Sequence, residues 1–184
     1  MFSLPVVLSK NPVKFAGEQS GLEKFFKLEH WKVQHEKRRV EDRIVWKRGG
    51  FVLVVAITEN QEVVLIREYK NAAGLIFHCL PAGGQNKGET PAEAALRELK
   101  EETGYIGCIN HCRVFGPFFN IPDKSTEQHN IVVVTDVQKG LAEPEESEKI
   151  VSVEICCWPI AKKKLLILTH YAAMDIAYRF LSKT

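Results

Sequence analysis

Blocks of apolar residues separated by polar breaks divide the chain into elements. Phe25, Phe26, Leu28, Trp31 and Val33, followed by the apolar positions of 40–45, predict two or three short strands folded as a hairpin. Gly49 and Gly50 interrupt the pattern before 51–57, a continuous apolar run that predicts a buried strand; a turn over 58–61 leads into a partner strand over 63–69. Residues 71–74 predict a loop and 75–80 a further strand, which delivers the chain to Pro81-Ala82-Gly83. Further on, 106–115 predicts a strand, 116–130 a polar loop of the length that often carries function, 131–137 a strand, 142–149 an acidic solvent-facing loop, and 150–158 a last strand. Two helices close the chain, over 160–168 and 169–182, the second with Ala172, Ala173, Ile176, Ala177 and Phe180 on its inner face. Residues 1–20, with Pro5, Pro12, Gly17 and little periodicity, predict an irregular arm. There is no internal repeat, and the pattern alone implies a mixed sheet carrying helices.

Between Gly83 and Tyr105 a glycine-rich loop feeds a short helix. Thr90 caps it, Pro91 suits its first position, Glu93 completes a capping box and Gly104 stops it. At about 100° per residue, Ala92, Ala95, Leu96, Leu99 and Thr103 fall on one side, while Glu98, Glu101 and Glu102 fall on another. Three glutamates facing the negative end of the helix dipole, with Glu98 and Glu102 repelling as an i,i+4 pair, are unfavourable by a few tenths of a kcal/mol each. A divalent cation reverses that sign, and converging carboxylates with water suit Mg²⁺. Arg97 flanks the cluster, can pair with Glu93 or Glu101, and can hold a glutamate in position for the metal.

Composition narrows the class. The 184 residues, 45% hydrophobic and 26% charged, suit a single globular unit. Residues 1–50 hold eleven Lys/Arg against six Asp/Glu, but the basic cluster at 37–39, 43, 47 and 48 is broken by Glu41 and Asp42, which favours a solvated or phosphate-facing surface over a nucleic-acid interface. Five cysteines without zinc-ligand pairing imply reduced thiols and a cytoplasmic protein, and no run approaches the length of a membrane span. His78, His111 and His129 have no metal-ligand spacing and read as structural or surface residues.

The spacing Gly83, Glu89, Arg97-Glu98-Leu99, Glu101-Glu102 and Gly104-Tyr105 resembles the Nudix box, G-x5-E-x7-R-E-U-x-E-E-x-G-U, with every fixed position matched and Tyr105 where an aliphatic residue is usual. The resemblance implies an α+β fold: an α/β/α sandwich around a mixed β-sheet with a catalytic loop-helix-loop, occupying residues 49–184, with 1–48 as an N-terminal arm, short strands and dimerisation segment. Residues 66–70 (Ile-Arg-Glu-Tyr-Lys), 79–84 (Cys-Leu-Pro-Ala-Gly-Gly) and 122–127 (Pro-Asp-Lys-Ser-Thr-Glu) resemble the ADP-ribose pyrophosphatase branch. Lys70 stands where that branch usually has Arg, and Pro122 lies 17 residues beyond the box, so another nucleoside diphosphate sugar stays open as substrate.

By resemblance, metal ligation falls to the Ala82 carbonyl, Glu98 and Glu102 with Glu101 assisting, for Mg²⁺ or alternatively Mn²⁺. Glu127, Glu101 and Arg97 are the catalytic candidates, Glu127 as the loop carboxylate that orients or deprotonates water. Trp31, Trp46, Arg67, Lys70 and Gly83 are the substrate-binding candidates, either indole offering a stacking face for a base. The expected activity is metal-dependent hydrolysis of ADP-ribose to AMP and ribose 5-phosphate by a homodimer without nucleic-acid or membrane partners; the alternative is a non-catalytic Nudix module that senses a nucleotide.

Overall fold

The computed structural model describes residues 6–13, 27–35, 39–140 and 150–182. The chain divides into two compact units, Met1–Gly49 with Phe119–Gln128, and Gly50–Phe118 with His129–Thr184. The acidic loop expected over 142–149, and Phe25 and Phe26, lie outside the described residues.

In the first unit, β1 (Val6–Pro12), β2 (Lys27–Gln34) and β3 (Val40–Lys47) form an antiparallel sheet in the order β1-β2-β3. The β2–β3 hairpin runs in unbroken register from Lys27 opposite Lys47 to Gln34 opposite Val40. β1 replaces part of the expected irregular arm. Pro12 looks like a breaker, yet it ends an edge strand, where a missing N–H removes no ladder bond. The segment 119–128 joins this unit through main-chain bonds from Trp46 N–H to the Lys124 carbonyl and from Thr126 N–H to the Trp46 carbonyl.

The second unit is built on an eight-stranded mixed sheet with helices on both faces. Its elements are β4 (Gly50–Thr58), β5 (Glu62–Lys70), β6 (Leu75–Cys79), β7 (Ala82–Gly84), α1 (Pro91–Thr103), β8 (Tyr105–Ile106), a 3-10 turn (Ile109–His111), β9 (Cys112–Phe118), β10 (Gln128–Lys139), β11 (Ile150–Cys157), α2 (Trp158–Lys164) and α3 (Leu168–Leu181). The central order is β11-β5-β4-β10-β8, with β6 on β5, β7 on β4 and β9 on β10.

Alternation along β4 divides the core into two. Leu53, Val55 and Ile57 pack with Leu65, Val133, Ala161, Ala173, Met174 and Ala177 on the α2/α3 face, while Val52, Val54 and Ala56 pack with Val64, Val132, Ala94, Ala95 and Leu99 on the α1 face. A strand apolar on both faces is the reason 51–57 reads as a continuous run.

Two boundaries and one helix face differ from expectation. The strand expected over 106–115 is broken: Gly107 lies where an added Cβ would be 2.6 Å from Val134, and the turn at Ile109–His111 separates β8 from β9. The polar loop is shorter than 116–130, because β9 reaches Phe118 despite Pro117 and β10 begins at Gln128; a register shift between His129 and Ile131 accommodates the pairing. In α3, Ala172 is exposed, and His170 and Met174 join Ala173 and Ala177 on the buried face.

Candidate active site

The loop 83–90 and α1 are joined by one guanidinium. Arg97 Nε donates to Glu89 at 2.8 Å, Nη2 donates to Glu89 at 3.1 Å and to the Gly84 carbonyl at 2.8 Å, and Nη1 donates to Glu98 at 2.8 Å and Glu101 at 2.9 Å. These bonds engage all of its N–H donors. Glu89 raises the pKa of Arg97 further, with Glu98 and Glu101 adding to it. In return, the Arg97 bonds and the Asn86 N–H hold the Glu89 carboxyl down to about 2. The helix start is capped as its sequence implies: Thr90 and Glu93 exchange bonds in a capping box, and Gly104 at φ 73° closes the other end.

β7 supplies the backbone. Val54 N–H donates to the Pro81 carbonyl and Gln85 N–H to the Gly50 carbonyl, so residues 81, 83 and 85 carry the ladder to β4. In an antiparallel pair, the intervening residues turn both N–H and C=O the other way. Accordingly Gly84 C=O reaches Arg97, and Ala82 N–H donates to Glu102 at 2.9 Å. The Ala82 carbonyl lies on that same edge, toward the carboxylates of α1. Gly83 makes room there: an added Cβ would stand 2.1 Å from the Glu98 carboxyl, which would have to shift. Glu98 and Glu102 are each only 7% exposed.

A hard cation fits this donor set, which consists of oxygens alone: two buried carboxylates, Glu101 and a backbone carbonyl. Among the described residues no three His, Cys, Asp or Glu side chains stand grouped to hold a metal by themselves, since Glu98 and Glu101 are drawn onto Arg97.

The strand pattern separates two expected substrate residues. Arg67 shares a β5 face with Leu65 toward α2, where Glu154 lies 3.9 Å away and also meets His78 and Lys164. Lys70 falls on the opposite face with Glu68, 2.6 Å from its carboxylate. Arg67 and Lys70 therefore do not converge.

Trp31, Trp46 and Glu127 belong to the first unit. Trp31 is opposite Arg43 in the hairpin and Trp46 is three residues from Arg43, so the two indoles occupy opposite faces. Trp31 donates to Glu29 at 2.7 Å, with Lys10 Nζ 4.2 Å from the ring centre; Trp46 is 42% exposed. Glu127 is paired with Arg48 at 2.9 Å, and its N–H donates to Ser125.

Two features escaped the sequence reading. His170, 7% exposed on α3, accepts the Leu80 N–H at Nδ1, 2.9 Å away; burial, aided by Lys70 and His129, pushes its pKa down to about 4. Its spacing from Ala173, Met174 and Ala177 on one helix face was the available signal. Asn130, 8% exposed, donates to Gln85, whose own amide donates to the Glu89 carbonyl; no local pattern marks that pair.

The family model for the NUDIX domain matches residues 47–173, more than half of the chain. A 124-residue segment is 32% identical to the ADP compounds hydrolase NudE of Escherichia coli (strain K12), covering 67% of this chain and 63% of that protein. Segments are also 36% identical to the ADP-ribose pyrophosphatase of Bacillus subtilis (strain 168), over 36% of each chain, and 37% identical to the methanol dehydrogenase activator of Bacillus methanolicus, over 43% of each. The matched segments thus span less than two thirds of those relatives. A crystal structure of an ADP compounds hydrolase superposes with a TM-score of 0.83 over 100% of this chain and 97% of the other at 20% identity, a likeness of fold. The chain belongs to the Nudix family.

Proposed function

We propose that this protein hydrolyses the diphosphate linkage of ADP-ribose, giving AMP and ribose 5-phosphate, with a related nucleoside diphosphate sugar as the substrate next in line. The observation that carries the reading is the Arg97 clamp, which gathers Glu89, Glu98 and Glu101 around a glycine whose missing Cβ leaves room for a carboxylate. Two relatives named for ADP-ribose or ADP compounds support the substrate class.

The Ala82 carbonyl, Glu98 and Glu102, assisted by Glu101, would hold Mg²⁺, with Mn²⁺ as its substitute. Bound there, the cation would neutralise diphosphate charge and lower the pKa of water. Arg97 spends its donors on the protein and so acts by fixing carboxylates rather than by touching substrate. Gly83, expected as a substrate contact, instead gives the Glu98 carboxylate its seat against the β7 backbone. Lys70, on the same sheet face as α1, is the candidate cation for a diphosphate oxygen, whereas Arg67 serves the Glu154 network. Glu127, held by Arg48, is the proposed acceptor of the water proton, and Trp46, the more open indole, is preferred to Trp31 for base stacking. A homodimer in the cytoplasm completes the proposal.

Incubation with a panel of nucleoside diphosphate compounds and Mg²⁺, with identification of products, tests the activity. AMP and ribose 5-phosphate from ADP-ribose are expected. A panel member exceeding ADP-ribose more than about tenfold in kcat/KM would replace the substrate.

A further inference from the structure

Leu80, Pro81 and Ala82 are fastened by three different elements. The Leu80 N–H is held by His170 of α3, the Pro81 carbonyl by Val54 of β4, and the Ala82 N–H by Glu102 of α1. Two of these anchors are explained already: the bond from Val54 to the Pro81 carbonyl belongs to the ladder, and Glu102 belongs to the carboxylate set. His170 is different. It comes from the opposite side of the sheet, and a helix packed only to cover the core would serve as well with an apolar residue there.

We propose that His170 is a positioning residue for the site: its Nδ1, by accepting the Leu80 N–H, sets where the Ala82 carbonyl stands relative to Glu98 and Glu102. The proposal rests on the reading of Ala82, Glu98 and Glu102 as cation ligands. A backbone N–H can only donate, so Nδ1 is the acceptor and the neutral ring carries its proton on Nε2. Leu80 is fully buried and lies between β6 and β7, outside either strand, so neither a ladder partner nor bulk solvent takes the place of the imidazole. Pro81 has no N–H of its own. The Leu80 bond is therefore the last main-chain donor anchor before Ala82, and the rigid ring fixes it from α3, whose Ala173, Met174 and Ala177 are immobilised in the core. A shift at Leu80 passes through a single proline to the carbonyl that faces the carboxylates.

The test uses the full chain and Mn²⁺ alone, with binding followed by electron paramagnetic resonance and no nucleotide present. His170→Asn places an amide oxygen where Nδ1 stood, whereas His170→Gln reaches toward the Nε2 position. Mn²⁺ affinity within about twofold of the parent is expected for His170→Asn, against a loss of about fivefold or more for His170→Gln. With ADP-ribose as substrate, kcat should fall by about tenfold in the Gln variant with KM little changed, and should recover in the Asn variant. Equal Mn²⁺ affinity in all three proteins, or equal loss in both variants, would overturn the assignment. If His170→Gln does not fold, His170→Ala takes its place: a loss of about fivefold or more there with affinity retained in His170→Asn supports the role, and retained affinity in His170→Ala ends it. The Mn²⁺ result stands independently of substrate, so a parent protein that binds Mn²⁺ but leaves ADP-ribose intact removes the substrate reading without touching this one. A parent that binds no Mn²⁺ removes both.

Discussion

At the scale of single residues, the site depends on one absent side chain and one saturated one. Gly83→Ala places a methyl group 2.1 Å from the Glu98 carboxyl, so the carboxylate must leave its seat. Turnover should fall by about tenfold or more, with little change in melting temperature, when assayed at saturating Mg²⁺. Glu98→Gln and Glu102→Gln should each reduce kcat by at least about a hundredfold while the circular dichroism spectrum stays unchanged, because the amide keeps a hydrogen-bonding oxygen but loses the charge a cation needs. Near-normal turnover in either variant would remove the ligand assignment. Lys70→Ala should raise KM for ADP-ribose by about tenfold, and Arg67→Ala should leave it within about twofold; steady-state kinetics on the pair would expose the reverse order.

At the scale of elements, the limits of α1 were legible because their signals are local, Thr90, Pro91 and Glu93 writing the start and Gly104 the stop, but its buried face was not: Ala94, Glu98 and Glu102 are buried beside Ala95, Leu99 and Thr103, while Ala92 and Leu96 are only half-buried. Thr90→Ala should cost about 1 kcal/mol in urea denaturation, since it takes the cap acceptor from the Glu93 N–H, although the Thr90 N–H still donates to the Glu93 carboxylate. β1, the break at Gly107 and the start of β10 were less legible because they depend on partners distant in sequence. Pro12 is harmless only at an edge, and Gly107 is needed only because Val134 lies close. The carboxylates of α1 could be read from spacing, but their closure by Gly84 and Glu89 could not, since that contact runs from loop to helix. His170 has the converse history: its helical spacing was visible, and its partner was not. Burial keeps its imidazole neutral, so protonation favours the unfolded chain. Stability is therefore complete above pH 6.5 and declines as pH falls from 6.5 toward about 4. His170→Asn should flatten that part of the profile, as denaturation midpoints measured across the interval will show.

At the scale of the whole molecule, the two faces of one sheet carry different duties, α1 presenting carboxylates on one and α2 with α3 filling the other. Light scattering at micromolar concentration should give the mass of a dimer, and a monomer unchanged by deletion of residues 1–20 would count against the proposed arrangement of the first unit. The fastening of residues 80–82 has a further consequence. The amides of Leu80 and Val54 are buried, bonded, and tied to α3 and β7, so neither can meet solvent while the sheet and α3 remain docked. Their deuterium uptake should require global opening, whereas amides near the loop tip at Lys87 and Gly88 should label early. A single peptide spanning residues 79–90 would thus carry a late-labelling amide at Leu80 and early-labelling ones at Lys87 and Gly88.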